Sequence, residues 1–157
     1  MIIHCESVRY IWEVLENQEY NFLFNDLTVF DIGCNIGTFS LWIYPHAQRI
    51  YAVDMSEEHI NNFNKTIRDN ELKNITTYIE RILNLEEFMS GHAIPLIDIL
   101  KLDVEGDEIS ILQSPTFPKD KIRTIVGEFH NQPVHEWIDK LGYRYFEYPN
   151  NHFVART

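Results

Sequence analysis

Apolar residues fall at Val8, Ile11, Trp12 and Leu15, three and four apart, and this spacing predicts a helix over residues 6–17 with Ser7 as its cap. Asn17, Asn25 and Asp26 break the pattern before Thr28-Val29-Phe30-Asp31, a short run that reads as a buried strand over 28–31. Phe39, Leu41, Trp42 and Ile43 then mark a helix. It must stop near Tyr44, because the residue before Pro45 is pushed out of helical geometry. Ile50, Tyr51, Ala52 and Val53 build a second strand over 49–54. Ser56 caps the next helix, Glu57 and Glu58 in its first turn complement the dipole, and Ile60, Phe63 and Ile67 form its buried stripe, with Asn70 as the stop.

Residues 75–82 alternate in part and are rich in β-formers, which predicts a third strand. A short helical turn is expected at 85–89, a strand at 96–103 and a helix at 105–112. After the Pro115 and Pro118 loop come a strand at 123–130 and a helix at 134–141, with Pro133 suited to its first turn and Gly142 at its end. The segments 143–148 and 152–157 flank Pro149-Asn150-Asn151 as a terminal hairpin. Strands alternating with helices imply a parallel sheet covered on both faces. The expected fold class is α/β, a doubly wound, mostly parallel sheet of about seven strands with a C-terminal antiparallel hairpin. Residues 1–157 form one domain, with a helix and lead-in over 1–27 and the core over 28–157.

The 157 residues suffice for one ordinary core, and 45% hydrophobic with 13% aromatic content marks a globular chain. Net charge is -11, from 24 acids against 13 bases. Such a field argues against nucleic acid, whose binding rests on Lys and Arg contacts to phosphate. Cys5 and Cys34 are the only cysteines, neither a disulfide framework nor a metal-ligand spacing. No basic segment followed by an apolar one suggests a signal peptide, and no apolar run approaches the ~18 residues of a membrane span. A reducing, cytoplasmic location is expected.

The candidate chemistry lies at strand ends, where ligands of open α/β sheets bind. Asp31-Ile32-Gly33-Cys34-Asn35-Ile36-Gly37 reads as strand, glycine turn and helix start, with glycines where a Cβ would block the turn and the approach of a ligand. Counted from Gly33, the second and third glycines of a dinucleotide fingerprint fall on Asn35 and Thr38, so that fingerprint fails. An acid just before the turn suits a ligand with an ammonium group, which points to S-adenosylmethionine. Asp54, ending the second strand, is placed to accept both ribose hydroxyls, and Met55 either packs on adenine or belongs to the core. Asp103 and Glu105 would share one side of the chain if the fourth strand continued through Glu105, and Gly106 suggests a close backbone approach. Asp107 and Glu108 read as first-turn acids of a helix. Glu128 and His130, two apart, face one side of their strand, and His130 is the side chain suited to accept a proton near neutral pH. A divalent metal on Asp103, Glu105, Glu128 and His130 is a second chemical option. The remaining histidines read as structural or surface residues.

Asp31-Ile-Gly33-Cys-Asn35-Ile-Gly37, Ala52-Val-Asp54, Asp98-Ile-Leu-Lys101-Leu-Asp103-Val-Glu105-Gly106-Asp-Glu108 and Val126-Gly-Glu128-Phe-His130 together resemble the FkbM-type methyltransferase family. The resemblance implies a Rossmann-like class I methyltransferase using S-adenosylmethionine, with Asp31, Gly33, Asn35 and Gly37 at the methionine end and Asp54 on the ribose. Cys34 stands where the family usually has Ala. The stretch 75–97 is short beside the family's, leaving Glu80 and Asn84 as candidates for the adenine amino group. With no long lid or inserted substrate domain, the site fits a large acceptor, a partner chain or a homo-oligomer. The function expected is methyl transfer to oxygen, or secondarily nitrogen, on a small-molecule, sugar (glycan) or lipid acceptor, with Asp103, Glu105, Glu128 or His130 as base. RNA or protein methylation on the same fold, and a non-catalytic cofactor-binding interaction module, are the alternatives; an NAD-dependent dehydrogenase ranks last.

Overall fold

A sheet buried on both faces needs strands written as near-continuous apolar runs, and the central strands here have that composition. In chain order the elements are β1 (Leu27–Ile32), α1 (Thr38–Ile43), β2 (Ala47–Asp54), α2 (Glu57–Asp69), β3 (Ile75–Ile79), α3 (Leu85–Gly91), β4 (Ile97–Leu102), α4 (Glu108–Leu112), β5 (Ile122–Glu128), α5 (Val134–Lys140), β6 (Arg144–Tyr148) and β7 (His152–Arg156). This computed structural model describes residues 26–130, 134–148 and 152–157. The helix expected over 6–17, Pro133 and the 149–151 turn lie outside them.

The seven strands are ordered β3-β2-β1-β4-β5-β7-β6. The first five pair in parallel, and β7 runs antiparallel to both β5 and β6. Alternate residues of each strand feed two cores. Phe30, Ile32, Tyr51, Val53, Leu100 and Leu102 pack with α3, α4 and α5. Val29, Ile50, Ala52 and Ile99 pack with Leu41 and Ile43 of α1 and Ile60 and Phe63 of α2 on the other face. Asp31 and Lys101 are paired neighbours on β1 and β4, and by alternation both project toward the α1–α2 side. Ser56 caps α2, its Oγ accepting from the His59 N–H at 3.3 Å, as the sequence implies. Among the described residues, no helix is long and apolar enough to cross a membrane.

Most element ends shift by a residue or two from the sequence expectation, and three of these shifts have a local reason that bears on the strand ends. β3 stops at Ile79, not Ile82, because it is an edge strand whose one partner ends there, with Asp54 opposite Ile79. The helix expected from Glu105 starts at Glu108, because Glu105 and Gly106 take positive φ values of 52° and 108° and turn the chain first. β5 ends at Glu128, so His130 lies just past the strand.

Candidate active site

From β1 the chain passes to β2 on one side, and from β4 to β5 on the other, so the order reverses between β1 and β4. The crevice at the carboxyl ends of such a pair is where these sheets bind ligands. Here the 33–37 turn and Asp103 meet directly. A Cβ on Gly33 would lie 1.8 Å from the Asp103 carbonyl oxygen, and one on Gly37 would lie 2.2 Å from the Phe63 ring. Both glycines also have left-handed φ values, 73° and 83°. The chain's own backbone and core therefore already demand glycine here, before any ligand approaches. Gly106 is different. A Cβ there meets nothing within 4 Å, so its role is the turn and not the close approach that the sequence suggested.

Four N–H groups of this turn are spent inside the protein. Those of Gly33 and Cys34 donate to the Val53 carbonyl at 2.9 and 3.0 Å, and that of Gly37 to the Cys34 carbonyl at 2.8 Å. The Asn35 N–H donates to Asp54 Oδ2 at 2.8 Å. Cys34 is buried among the α1–α2 core residues. Burial, then the charges of Asp31 and Asp54, push its thiol well above the usual range. Its side chain is a packing group and does not line the crevice.

Asp31, expected to grip a ligand ammonium, is fully buried. Its Oδ2 accepts from the Ser40 hydroxyl at 2.7 Å. Among the described residues its Oδ1 has no hydrogen bond but lies 3.4 Å from the Lys101 ammonium. Lys101 also donates to the Gly33 carbonyl at 2.8 Å and lies 3.3 Å from Asp103 Oδ2. Burial alone would lower the Lys101 pKa; Asp31 and Asp103 more than reverse that, so the ammonium is held charged. The protein's own cation thus stands beside Asp31, where a ligand cation was expected. The signal was legible: a lysine within an apolar, doubly covered strand must have a partner.

Asp54 ties the turn to α2. Besides Asn35 it accepts from the Ser56 N–H at 2.8 Å, and His59 Nδ1 lies 3.3 Å from Oδ1. Among the described residues Oδ2 has one donor, so a carboxylate's lone pairs leave room there for a hydroxyl. Met55 is 73% exposed and Ile79, opposite Asp54, 53%, so Met55 is no core residue. Asn84 is engaged elsewhere: it caps α3, accepting from the Glu87 N–H at 3.2 Å, and accepts from Thr116 Oγ1 at 3.1 Å. Glu80 is exposed.

On the other side of the crevice, the structure brings Asp103, Glu105 and His130 together, with one ligand-type atom from each within 4.8 Å of the others. A cation-sized group of donors is thereby formed. Asp103 and Glu105 meet through the positive-φ turn, not through strand alternation. His130 Nε2 lies 3.6 Å from Glu105 Oε2 and 4.0 Å from Glu128 Oε1, while Nδ1 is 3.0 Å from Glu108 Oε1. Burial lowers the pKa of this ring, but the Glu108 hydrogen bond and the charges of Glu108, Glu105 and Glu128 outweigh it, so the net shift is upward. Glu128 Oε2 is 4.0 Å from His152 Nε2. Asp107 is bound by Arg81, through Nε at 2.7 Å and Nη2 at 2.8 Å. Lys101, Glu108, His59 and His152, to which sequence reasoning gave no functional role, thus contact Gly33, His130, Asp54 and Glu128 of this candidate site.

A family model described as "Methyltransferase FkbM domain" matches residues 2–147. No curated protein matches the chain. Among solved structures, it is similar to a precorrin-6y C5,15-methyltransferase from Geobacter metallireducens, at 15% identity over 87% of this chain and 84% of that one, with TM-score 0.65. An rRNA methylase from Streptococcus thermophilus is similar at 10% identity over 96% of each chain, with TM-score 0.66. A SAM-dependent methyltransferase from Aquifex aeolicus is similar at 17% identity over 91% and 86%, with TM-score 0.57. At these identities the likeness is one of fold.

Proposed function

The chain belongs to the FkbM methyltransferase family and is an S-adenosylmethionine-dependent enzyme, and from that premise we propose that it methylates a hydroxyl of a neutral small molecule, sugar or lipid, with His130 as proton acceptor. When bound, S-adenosylmethionine would supply an electrophilic methyl group on its sulfonium, with S-adenosylhomocysteine as the leaving group. His130 Nε2 would take the proton that the acceptor hydroxyl gives up as its oxygen gains the methyl group. Such a transfer needs chiefly positioning and removal of that proton.

The donor side fits this cofactor. Asp54 Oδ2 has room for a ribose hydroxyl, and Met55 and Ile79 offer an apolar edge beside it for adenine. Gly33, Asn35 and Gly37 frame the methionine end, with Asp31 acting through Lys101 and not by contact.

The observation that carries the hydroxyl reading is His130 grouped with Asp103 and Glu105, its Nε2 beyond hydrogen-bond reach of Glu105 and Glu128. Charge supports a neutral acceptor. Asp103, Glu105 and Glu128 crowd these strand ends and repel phosphate and carboxylate groups, as does the net charge of -11. Transfer of a radiolabelled methyl group to a panel of monosaccharides, phenols, hydroxylated lipids, sugar phosphates and short RNA tests the reading. Neutral hydroxyl acceptors should be methylated, and His130→Gln should lower kcat about 10²–10⁴-fold with KM for S-adenosylmethionine unchanged. Preference for RNA or sugar phosphates, or full activity of His130→Gln, would overturn it.

A further inference from the structure

Glu108 presents an unexplained burial. Glu57 and Glu58 complement the α2 dipole from exposed positions, which is all that role requires. Glu108 occupies the same position in α4, a helix of five residues, yet is 2% exposed. Removing a carboxylate from water costs several kcal/mol unless a partner compensates. Its Oε1 accepts from the Val104 N–H at 3.0 Å and faces His130 Nδ1 at 3.0 Å. Among the described residues, His130 is the one group able to carry positive charge that pairs with it.

This contact can select the tautomer of the ring. A neutral imidazole has one N–H and one bare nitrogen, and the bond made by the first selects the second. With Nδ1–H donated to Glu108, the lone pair belongs to Nε2, on the side of the ring toward Glu105 and Glu128. The positive φ of Glu105 and Gly106 makes this possible, since the turn returns the chain so that Glu108 reaches both Val104 and His130. We propose that Glu108 is a positioning residue for methyl transfer: it holds the His130 ring in the tautomer and orientation that present Nε2 to the acceptor hydroxyl. The proposal rests on the reading of His130 as proton acceptor, and Glu108 itself touches neither acceptor nor cofactor.

The test combines a spectroscopic and a kinetic readout. In the full chain labelled with ¹⁵N-histidine, with His130→Gln identifying the signal, the neutral ring of His130 should be the Nδ1–H tautomer; the Nε2–H tautomer would overturn the proposal without any variant of Glu108. In kinetics with the best neutral acceptor of the panel above, Glu108→Gln and Glu108→Ala are each combined with His130→Gln. Glu108→Ala should lower kcat at least about tenfold, leave KM for S-adenosylmethionine unchanged, and cost nothing further once His130 is Gln. A residue that only supports the fold would give additive losses, and that result would overturn the proposal. If His130→Gln is inactive while both Glu108 variants keep full kcat, the positioning role fails alone. If His130→Gln is fully active, the proton-acceptor reading itself fails.

Discussion

Replacing Lys101 by Met isolates the ionic link between the two halves of the site. Met keeps most of the stem volume and removes the ammonium, leaving Asp31 fully buried with the Ser40 hydroxyl as its hydrogen bond and Oδ1 without a cation. The Gly33 carbonyl loses its 2.8 Å donor as well. Breaking a buried pair from one side costs about 3–5 kcal/mol, because the remaining charge is stranded. Lys101 is 13% exposed, so the lower end, about 3 kcal/mol, is expected for Lys101→Met. For a chain of this size that is a fall in Tm of about 6–12 °C. Asp31→Asn combined with Lys101→Met removes both charges and should recover most of the loss, giving a coupling of about 2 kcal/mol in a double-mutant cycle. Urea and thermal melts followed by circular dichroism measure all four proteins. A Lys101→Met protein within ~0.5 kcal/mol of the parent, or additive single losses, would refute the view that Lys101 neutralises Asp31.

Other outcomes follow from the same geometry. Because His130 must be neutral to accept a proton and its pKa is raised above the ordinary 6.5, kcat/KM should rise with pH through a value above 6.5; Glu105→Gln and Glu128→Gln each remove a charge that holds the ring protonated, so each should move that limb to lower pH. Gly33→Ala places a Cβ on the Asp103 carbonyl and should cost at least ~4 kcal/mol, whereas Gly106→Ala meets open space and should cost only the conformational ~1–3 kcal/mol in a denaturant melt. Cys34, buried and with its thiol pushed up, should resist a thiol reagent in a Cys5→Ser background until denaturant unfolds the chain. Dialysis against a chelator should leave turnover unchanged; a loss restored by magnesium would assign Asp103, Glu105 and His130 to a metal instead of to proton transfer.

The sheet was legible because strands covered on both faces must be apolar throughout, and the runs around Phe30, Val53 and Leu100 have no other economical reading. Ser56 announced its helix by side-chain chemistry alone. The ends were less legible, because they depend on neighbours: β3 stops where β2 stops, and the helix after Asp103 is delayed by two positive-φ residues that no period reveals. At the strand ends, partners set by the fold were the hardest to read. Asp31 looked like a cation binder, which it is, but the cation is Lys101, 70 residues later in the chain by number and adjacent only because β4 lies beside β1. Glu108 could not be separated from an ordinary first-turn acid, since burial depends on how α4 meets the end of β5. Asp103 and Glu105 do come together, by a turn and not by the alternation that predicted it.

The most direct measurement is the crystal structure of the protein with S-adenosylhomocysteine. The account predicts the ribose hydroxyls on Asp54, adenine against Met55 and Ile79, and the sulfur opening toward His130 Nε2. A nucleoside bound away from Asp54, or a sulfur turned from His130, would contradict it.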